Sequence, residues 1–293
     1  MKRVRAEVLN VRRAGSYLSI ALVAPEIAEH ALPGQFVSIA VPADRASLLR
    51  QPFTISQAAR RGGWAGTLEF AIDPRDPDTA WLANLRAHQF LDVIGPLGNP
   101  FSYPARHTNC LLVAEGLGAA ALYFLAQELR TRGKRVDMVL GAPTQDDIFK
   151  IIEGKRLSSA ITIATEDGSA GERGSVLDVL PEAARATGSQ VLYAAGPRTL
   201  LRRIAAFCAS EELPAQVAVE EAMACGMGLC FTCAVPVLRR DGEGFDHLRA
   251  CTEGPVFNPA RILWERWMPE EETDRIEAEA EAEASIAEDG APS

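Results

Sequence analysis

Near residue 106 the chain changes rhythm, and this break constrains its fold more than any other feature. Before it, the stretches KRVRAEVLNVRRA, YLSIALVAP, QFVSIAVPA, RQPFTISQAAR, GTLEFAIDP and FLDVIGPLG are β-branched or alternating and are punctuated by Gly, Pro and Asp. Such stretches read as strands, and six at close spacing predict a small antiparallel barrel. After it, the strand runs NCLLVAEG, RVDMVLGAP, AITIATED, QVLYAAGP and AQVAVEEAM alternate with the helical patterns AAALYFLAQELRTRG, DDIFKIIEGKR, VLDVLPEAARATG and RTLLRRIAAFCASEE. Leu122, Leu125 and Leu129 share one face of the first helix, and Gly133 ends it. Strand and helix in alternation predict a parallel sheet with helices on both faces. The expected fold class is therefore β plus α/β: an antiparallel barrel over 1–105, a parallel-sheet domain over 106–219, and a glycine- and cysteine-rich region over 220–268. There are no internal repeats.

Ten acidic residues and one arginine between residues 269 and 293 account for the whole formal charge of −9. That tail is low in complexity, with Ile276 and Ile286 its only large apolar groups. It cannot bury enough surface to fold alone and is expected to be disordered or a solvated helix. The remaining body is formally neutral, which argues against a nucleic-acid partner. The basic N-terminus has no apolar run behind it, and no stretch reaches the roughly 18 apolar residues of a membrane span. A cytoplasmic protein is expected, where clustered cysteines point to metal or redox chemistry.

Cys225, Cys230, Cys233 and Cys251 form C-x4-C-x2-C-x17-C. This is the spacing of a plant-type [2Fe–2S] site. The cluster's charge needs a crowd of backbone N–H groups, and Gly226 and Gly228 permit the positive φ that turns amides inward. Met227, Leu229 and Phe231 are expected to shield it from water. The competing readings are a structural zinc site, which favours paired C-x2-4-C ligands, and disulfides. Cys110, in a strand run, and Cys208, on a helix, are expected to be small buried residues. His30, His88, His107 and His247 are scattered without metal spacing.

The segments LPGQFVSI, RQPFTIS, IGPLGNPF, EDGSAGERGSVLDVL, AAGP, VEEAMACGMGLCFTCAVPV and CTEGPVFN, in this order, resemble the electron-transfer subunits of dihydroorotate dehydrogenase, within the ferredoxin reductase superfamily. The likeness spans roughly residues 1–265. It implies FAD on the barrel, a nicotinamide dinucleotide, NAD(H), on the α/β domain and a [2Fe–2S] cluster. It further implies a partner subunit that holds FMN and oxidises dihydroorotate in pyrimidine synthesis. A flavin can stand between a two-electron hydride donor and a one-electron cluster, so the protein's task is to position cofactors. By the resemblance, the flavin residues are Arg50, Gln51, Pro52, Phe53 and Thr54, with Ala71, Ile72, Asp73, Asp78 and Thr79. The nucleotide turn holds Gly116 and Gly118.

The chain departs from the family pattern at several of these positions. Where the flavin motif has Arg-Pro-x-Ser/Thr, this chain has Gln51-Pro52-Phe53-Thr54, with Arg50 one place early. Gly-Thr becomes Asp78-Thr79, and Gly-Gly-x-Gly-x-x-Pro becomes Glu115-Gly116-Leu117-Gly118-Ala119-Ala120-Ala121. Ala195 stands where the family has cysteine. Arg50 is expected to carry the diphosphate contact only if Pro52 or a bulge re-aims it, since successive strand residues face opposite sides. The alternative to an electron-transfer subunit is a divergent iron–sulfur adaptor or one-electron relay that has lost tight flavin or NADH binding.

Overall fold

The computed structural model describes residues 1–41, 49–106 and 108–268. The acidic tail and His107 lie outside the described residues.

The six expected strands form: β1 (Lys2–Ala14), β2 (Tyr17–Val23), β3 (Phe36–Ile39), β4 (Gln51–Ala59), β5 (Thr67–Ile72) and β6 (Phe90–Leu97), with a short helix α1 (Pro25–Ala28) after β2. They close into a barrel in the order β1-β2-β5-β4-β3-β6. β6 returns antiparallel to β1, pairing Lys2 with Gly95 through Glu7 with Phe90. Strict alternation of exposed and buried residues along β6 shows why its sequence reads as a half-buried strand. Ile20, Leu22, Val37, Phe70, Ile72 and Val93 fill the interior.

The α/β half contains β7 (Asn109–Glu115), α2 (Ala119–Thr131), β8 (Arg135–Ala142), α3 (Ile151–Leu157), β9 (Ala160–Thr165), β10 (Glu172–Arg173), α4 (Val176–Thr187), β11 (Val191–Ala195), α5 (Arg198–Ser210) and β12 (Ala215–Ala218). These strands pair in parallel in the order β10-β9-β8-β7-β11-β12. β7 is buried on both faces, as a covered parallel strand must be. Cys110, Leu112 and Ala114 face α2, while Leu111 and Val113 face α4 and α5. The predicted stripe of Leu122, Leu125 and Leu129 packs on the first of these faces. Phe124 of the same helix enters the barrel core, so α2 joins the two halves.

Two segments differ from expectation. The helix expected over DDIFKIIEGKR begins only at Ile151, because Lys150 takes a left-handed φ of 46° and a 3-10 turn covers Gln145–Asp147. The strand expected over AQVAVEEAM stops at Ala218, where the chain turns toward the cysteine loop.

Beyond residue 219 come the hairpin β13 (Ala234–Leu238) and β14 (Phe245–Arg249), then β15 (Val256–Phe257) and α6 (Trp264–Trp267). β15 adds to the large sheet antiparallel to β12. Cys233, Val235, Cys251, Trp264 and Trp267 share one core with Leu111, Leu201 and Ile204. The cysteine region is thus packed onto the α/β sheet rather than folded apart from it. Among the described residues, no helix is long and apolar enough to cross a membrane.

Candidate functional site

A cavity of about 280 Å³ opens between the barrel and the α/β half. That is near the lower bound of roughly 300 Å³ for small-molecule sites. Eight of the twelve residues expected to bind flavin or nucleotide line it: Pro52, Phe53, Thr54, Ala71, Ile72, Asp73, Thr79 and Gly118. β4 and β5 place the barrel residues, and the β7–α2 turn places Gly118. Ala195 also lines the wall, from the end of β11. The sequence reading missed Phe36, Asp76, Glu220, Glu221, Met223 and Pro255. Glu220, Glu221 and Met223 belong to VEEAMAC, a segment with no period that marks which of its side chains face a cavity.

Arg50, Gln51, Asp78 and Gly116 do not line the cavity. Arg50 turns to the outside of the barrel: its Nη2 donates to the Ser38 carbonyl at 2.9 Å, and to the Asp92 carbonyl and Oδ1 at 2.6 and 3.0 Å. The one bulge in β4 falls between Ile55 and Gln57, too late to re-aim residue 50. Arg50 is thus engaged by Ser38 and Asp92, away from the cavity, on the side that ordinary strand alternation gives it.

Gln51 joins the loop that follows β5. Its Nε2 donates to the Asp78 carbonyl at 2.7 Å, and its Oε1 accepts from Trp81 Nε1 at 3.0 Å. That loop is closed on itself. Arg75 N donates to Asp73 Oδ1, and Asp76 N to the Asp73 carbonyl. Asp78 N donates to Asp76 Oδ1, and Thr79 N and Ala80 N to the Asp76 carbonyl. Residues 74 and 77 are prolines, so every backbone donor from 74 to 80 is already paired. The Thr79 hydroxyl donates to the Asp73 carbonyl at 2.8 Å.

The cavity wall carries Asp73, Asp76, Glu220 and Glu221 and, among the described residues, no lysine or arginine. The hydrogen bond from Arg75 holds the Asp73 carboxyl below its ordinary range. Burial raises Glu221 despite Arg198, whose Nη2 lies 2.5 Å from it. Desolvation raises Glu220 as well. Glu115, at the end of β7, is raised by burial and then by Glu166 and Glu220. The two glycines of the β7–α2 turn have separate tasks. Gly116 takes φ 54° under the Tyr17 hydroxyl, and a Cβ on Gly118 would stand 2.5 Å from the Ala195 carbonyl oxygen.

The cysteine loop lies directly beside this cavity. Met223 and Pro255 line the cavity, while Cys225 and Cys251 lie a few residues away in the chain. Gly226, Gly228 and Phe231 take φ values of 67°, 83° and 61°. Met227 N and Leu229 N donate to Cys225 Sγ at 3.5 and 3.3 Å. Burial raises the Cys225 thiol, but N–H donors from Met227, Cys230 and Leu229 outweigh it and bring it to about 6. Cys230 and Cys225 lie sulfur to sulfur at 3.3 Å. Cys251 touches Cys233 and is pushed to about 12, first by burial and then by that neighbour. Arg249 pins the loop: Nη1 donates to the Gly228 carbonyl at 3.0 Å, while Nε and Nη2 grip Glu253.

All six cysteines are free thiols. Among the described residues, no three ligating side chains converge on one point. The four thiols instead stand two and two, an arrangement that fits two irons better than one zinc. Met227, Leu229 and Phe231, expected to shield the site, face solvent at 42%, 78% and 54% exposure. The positive-φ turns that aim amides inward aim these side chains outward. Cys110 and Cys208 are buried at 0% and 5%, which raises them to about 11 and 12.

A six-stranded barrel, a parallel α/β sheet and a cysteine loop around one cavity define an oxidoreductase fold of the ferredoxin reductase class, the architecture of FAD- and NAD-binding reductases that carry a [2Fe–2S] cluster. Its likeness to the structure of an NADH-dependent reduced ferredoxin-NADP oxidoreductase has a TM-score of 0.77 at 27% identity, over 90% of this chain and 91% of that one. A ferredoxin reductase of carbazole 1,9a-dioxygenase shares the fold at a TM-score of 0.61 and 22% identity, over 73% of this chain and 67% of that one. The profile of the iron–sulfur cluster binding domain of dihydroorotate dehydrogenase B matches residues 220–263. The dihydroorotate dehydrogenase B (NAD(+)) electron transfer subunit of Desulforamulus reducens is 33% identical over 83% of this chain and 90% of its own. That of Geobacillus kaustophilus is 36% identical over 79% and 86%. The chain belongs to this family of electron transfer subunits.

Proposed function

We propose that this chain relays electrons from NAD(H) through FAD to a [2Fe–2S] cluster and on to a partner flavoprotein, the FMN-containing subunit of a cytoplasmic dihydroorotate dehydrogenase in pyrimidine synthesis. The observation that carries this reading is a shared wall. The Phe36 ring lines the cavity and lies 3.7 Å from the Cβ position of Gly226 in the cysteine loop. Phe36 thus touches both sites, the kind of adjacency that electron transfer requires.

Bound FAD would accept a hydride's two electrons and release them singly to the cluster. The protein's own residues supply the setting. Phe53, Ile72 and Met223 would exclude water from a bound ring, and Thr54 would offer it a hydroxyl. Cys225 with Cys230 and Cys233 with Cys251 would hold the two irons. The positive-φ turns at Gly226 and Gly228 aim the Met227 and Leu229 amides at Cys225, and Arg249 keeps the loop in register. The α/β unit of 106–219 would receive the dinucleotide at the β7–α2 turn. The exposed Met227, Leu229 and Phe231 form an apolar rim at the cluster, suited to cover by a partner surface.

Iron, acid-labile sulfide and zinc should be measured on protein prepared anaerobically. About two irons and two sulfides per chain are expected, with loss of iron in Cys230→Ser. Zinc without iron would sink the cluster assignment. The second reading, an iron–sulfur relay without tight flavin, is favoured by the closed loop of residues 73–80. Cluster absorption without flavin bands after reconstitution with FAD would establish it.

A further inference from the structure

Gln51 and its loop bear on which part of a flavin the protein holds. We infer that Gln51 has turned the diphosphate side of the flavin site into an internal hydrogen-bond network. The cavity then binds riboflavin, FMN and FAD alike, through the ring. This inference rests on the flavin reading above and goes further, to ligand discrimination.

A diphosphate is held by N–H donors and cations. The loop offers neither. Its backbone donors from 74 to 80 are all committed within it, and its side chains add three aspartates against one arginine. That arginine, Arg75, is shared between Asp73 and Asp147 at 2.7 and 2.8 Å. By the resemblance, Gln51 stands at the motif position where the family has arginine. Both ends of its amide are engaged, one by the Asp78 carbonyl and one by the buried Trp81 indole. Arg50 is held by Asp92 on the far side of the strand. Among the described residues, a phosphate added beside this loop therefore meets like charge and no open backbone donor from 74 to 80. The ring pocket itself keeps its apolar walls and Thr54.

The test is calorimetric titration of the flavin-free full chain, cluster intact, with riboflavin, FMN and FAD. Two charge-assisted contacts would favour FAD over riboflavin roughly a hundredfold. The inference expects the three dissociation constants to agree within tenfold. A preference of tenfold or more for FAD overturns it and shows that another group holds the diphosphate. The double variant Gln51→Arg, Asp78→Gly is expected to tighten FAD at least tenfold while leaving riboflavin unchanged. Equal tightening of both would also count against the inference. If none of the three flavins binds, the flavin reading itself fails, and the iron–sulfur relay takes its place.

Discussion

At the scale of single residues, the G-x-G turn shows how one motif can hide two demands. The sequence marks Gly116 and Gly118 alike as a phosphate-type turn. In the structure Gly118 is required by packing, since a Cβ there would meet the Ala195 carbonyl carbon and oxygen at 2.7 and 2.5 Å. Backbone cannot yield as a flexible side chain can. Gly118→Ala is therefore expected to destabilise by about 1–3 kcal/mol, the usual cost of overpacking. Gly63→Ala is the control, with ordinary φ and nothing within 4 Å of the new methyl. It should stay within about 0.5 kcal/mol of the parent. Thermal melts of both variants decide the matter: equal melting temperatures would mean the turn opens without strain. The cysteines were legible at this scale because ligand spacing is local. Glu220 and Glu221 were not, because a carboxylate's place in a cavity wall depends on contacts across the fold.

At the scale of elements, β4 shows both what alternation reveals and where it misleads. Its strand character was plain from RQPFTISQAAR, and so was the opposite facing of residues 50 and 51. The destination of Arg50 was not, because Asp92 lies on β6, which only barrel closure brings alongside. Arg3 Nη2 also reaches Asp92, at 2.5 Å, so one carboxylate gathers two arginines. The Asp92 carboxyl is held below its ordinary range first by Arg3, against burial, and then by Arg50. A carboxyl whose folded pKa is depressed stabilises above its unfolded value, about 3.9 for aspartate, and loses that contribution as the pH falls through the folded value. Asp92→Asn is therefore expected to lower stability at pH 7 and to converge on the parent in strong acid. Urea midpoints across that range test the sign: a deficit that grows toward low pH would refute it. Arg50→Ala should share the deficit at pH 7 and leave flavin affinity unchanged, the reverse of a diphosphate role. The two-residue strands β10 and β15 were illegible for a simpler reason, since two residues carry no period.

At the scale of the whole molecule, the halves are joined by polar links as well as by α2. Ser16 N donates to the Asp146 carbonyl at 2.7 Å, Arg75 reaches Asp147, and Lys150 pairs with Glu69. The order of barrel, sheet and cysteine loop could be seen in the chain's changes of rhythm. The docking of the last described residues could not, because ILWERWM is too short to show a periodic face. Yet Trp264, Trp267 and Met268 are 8%, 8% and 5% exposed, and the Trp264 indole donates to the Pro259 carbonyl at 3.1 Å. Arg198 lies 4.7 Å over the Trp267 ring while it pairs with Glu221 of the cavity wall. The chain's stability should therefore change sharply at one point along its C-terminal end. Truncation after Met268 removes the acidic tail and two isoleucines but none of this core. It is expected to leave melting temperature and iron content unchanged. Truncation after Leu263 removes two buried indoles, each worth about 3–5 kcal/mol when lost from a core. It also strips Arg198 of its aromatic neighbour, and should lower the melting temperature by many degrees. Differential scanning calorimetry with iron analysis on the two truncations checks both halves. A clear loss in the first would mean that the tail docks on the body, and no loss in the second would mean that the indoles add nothing to the core they occupy.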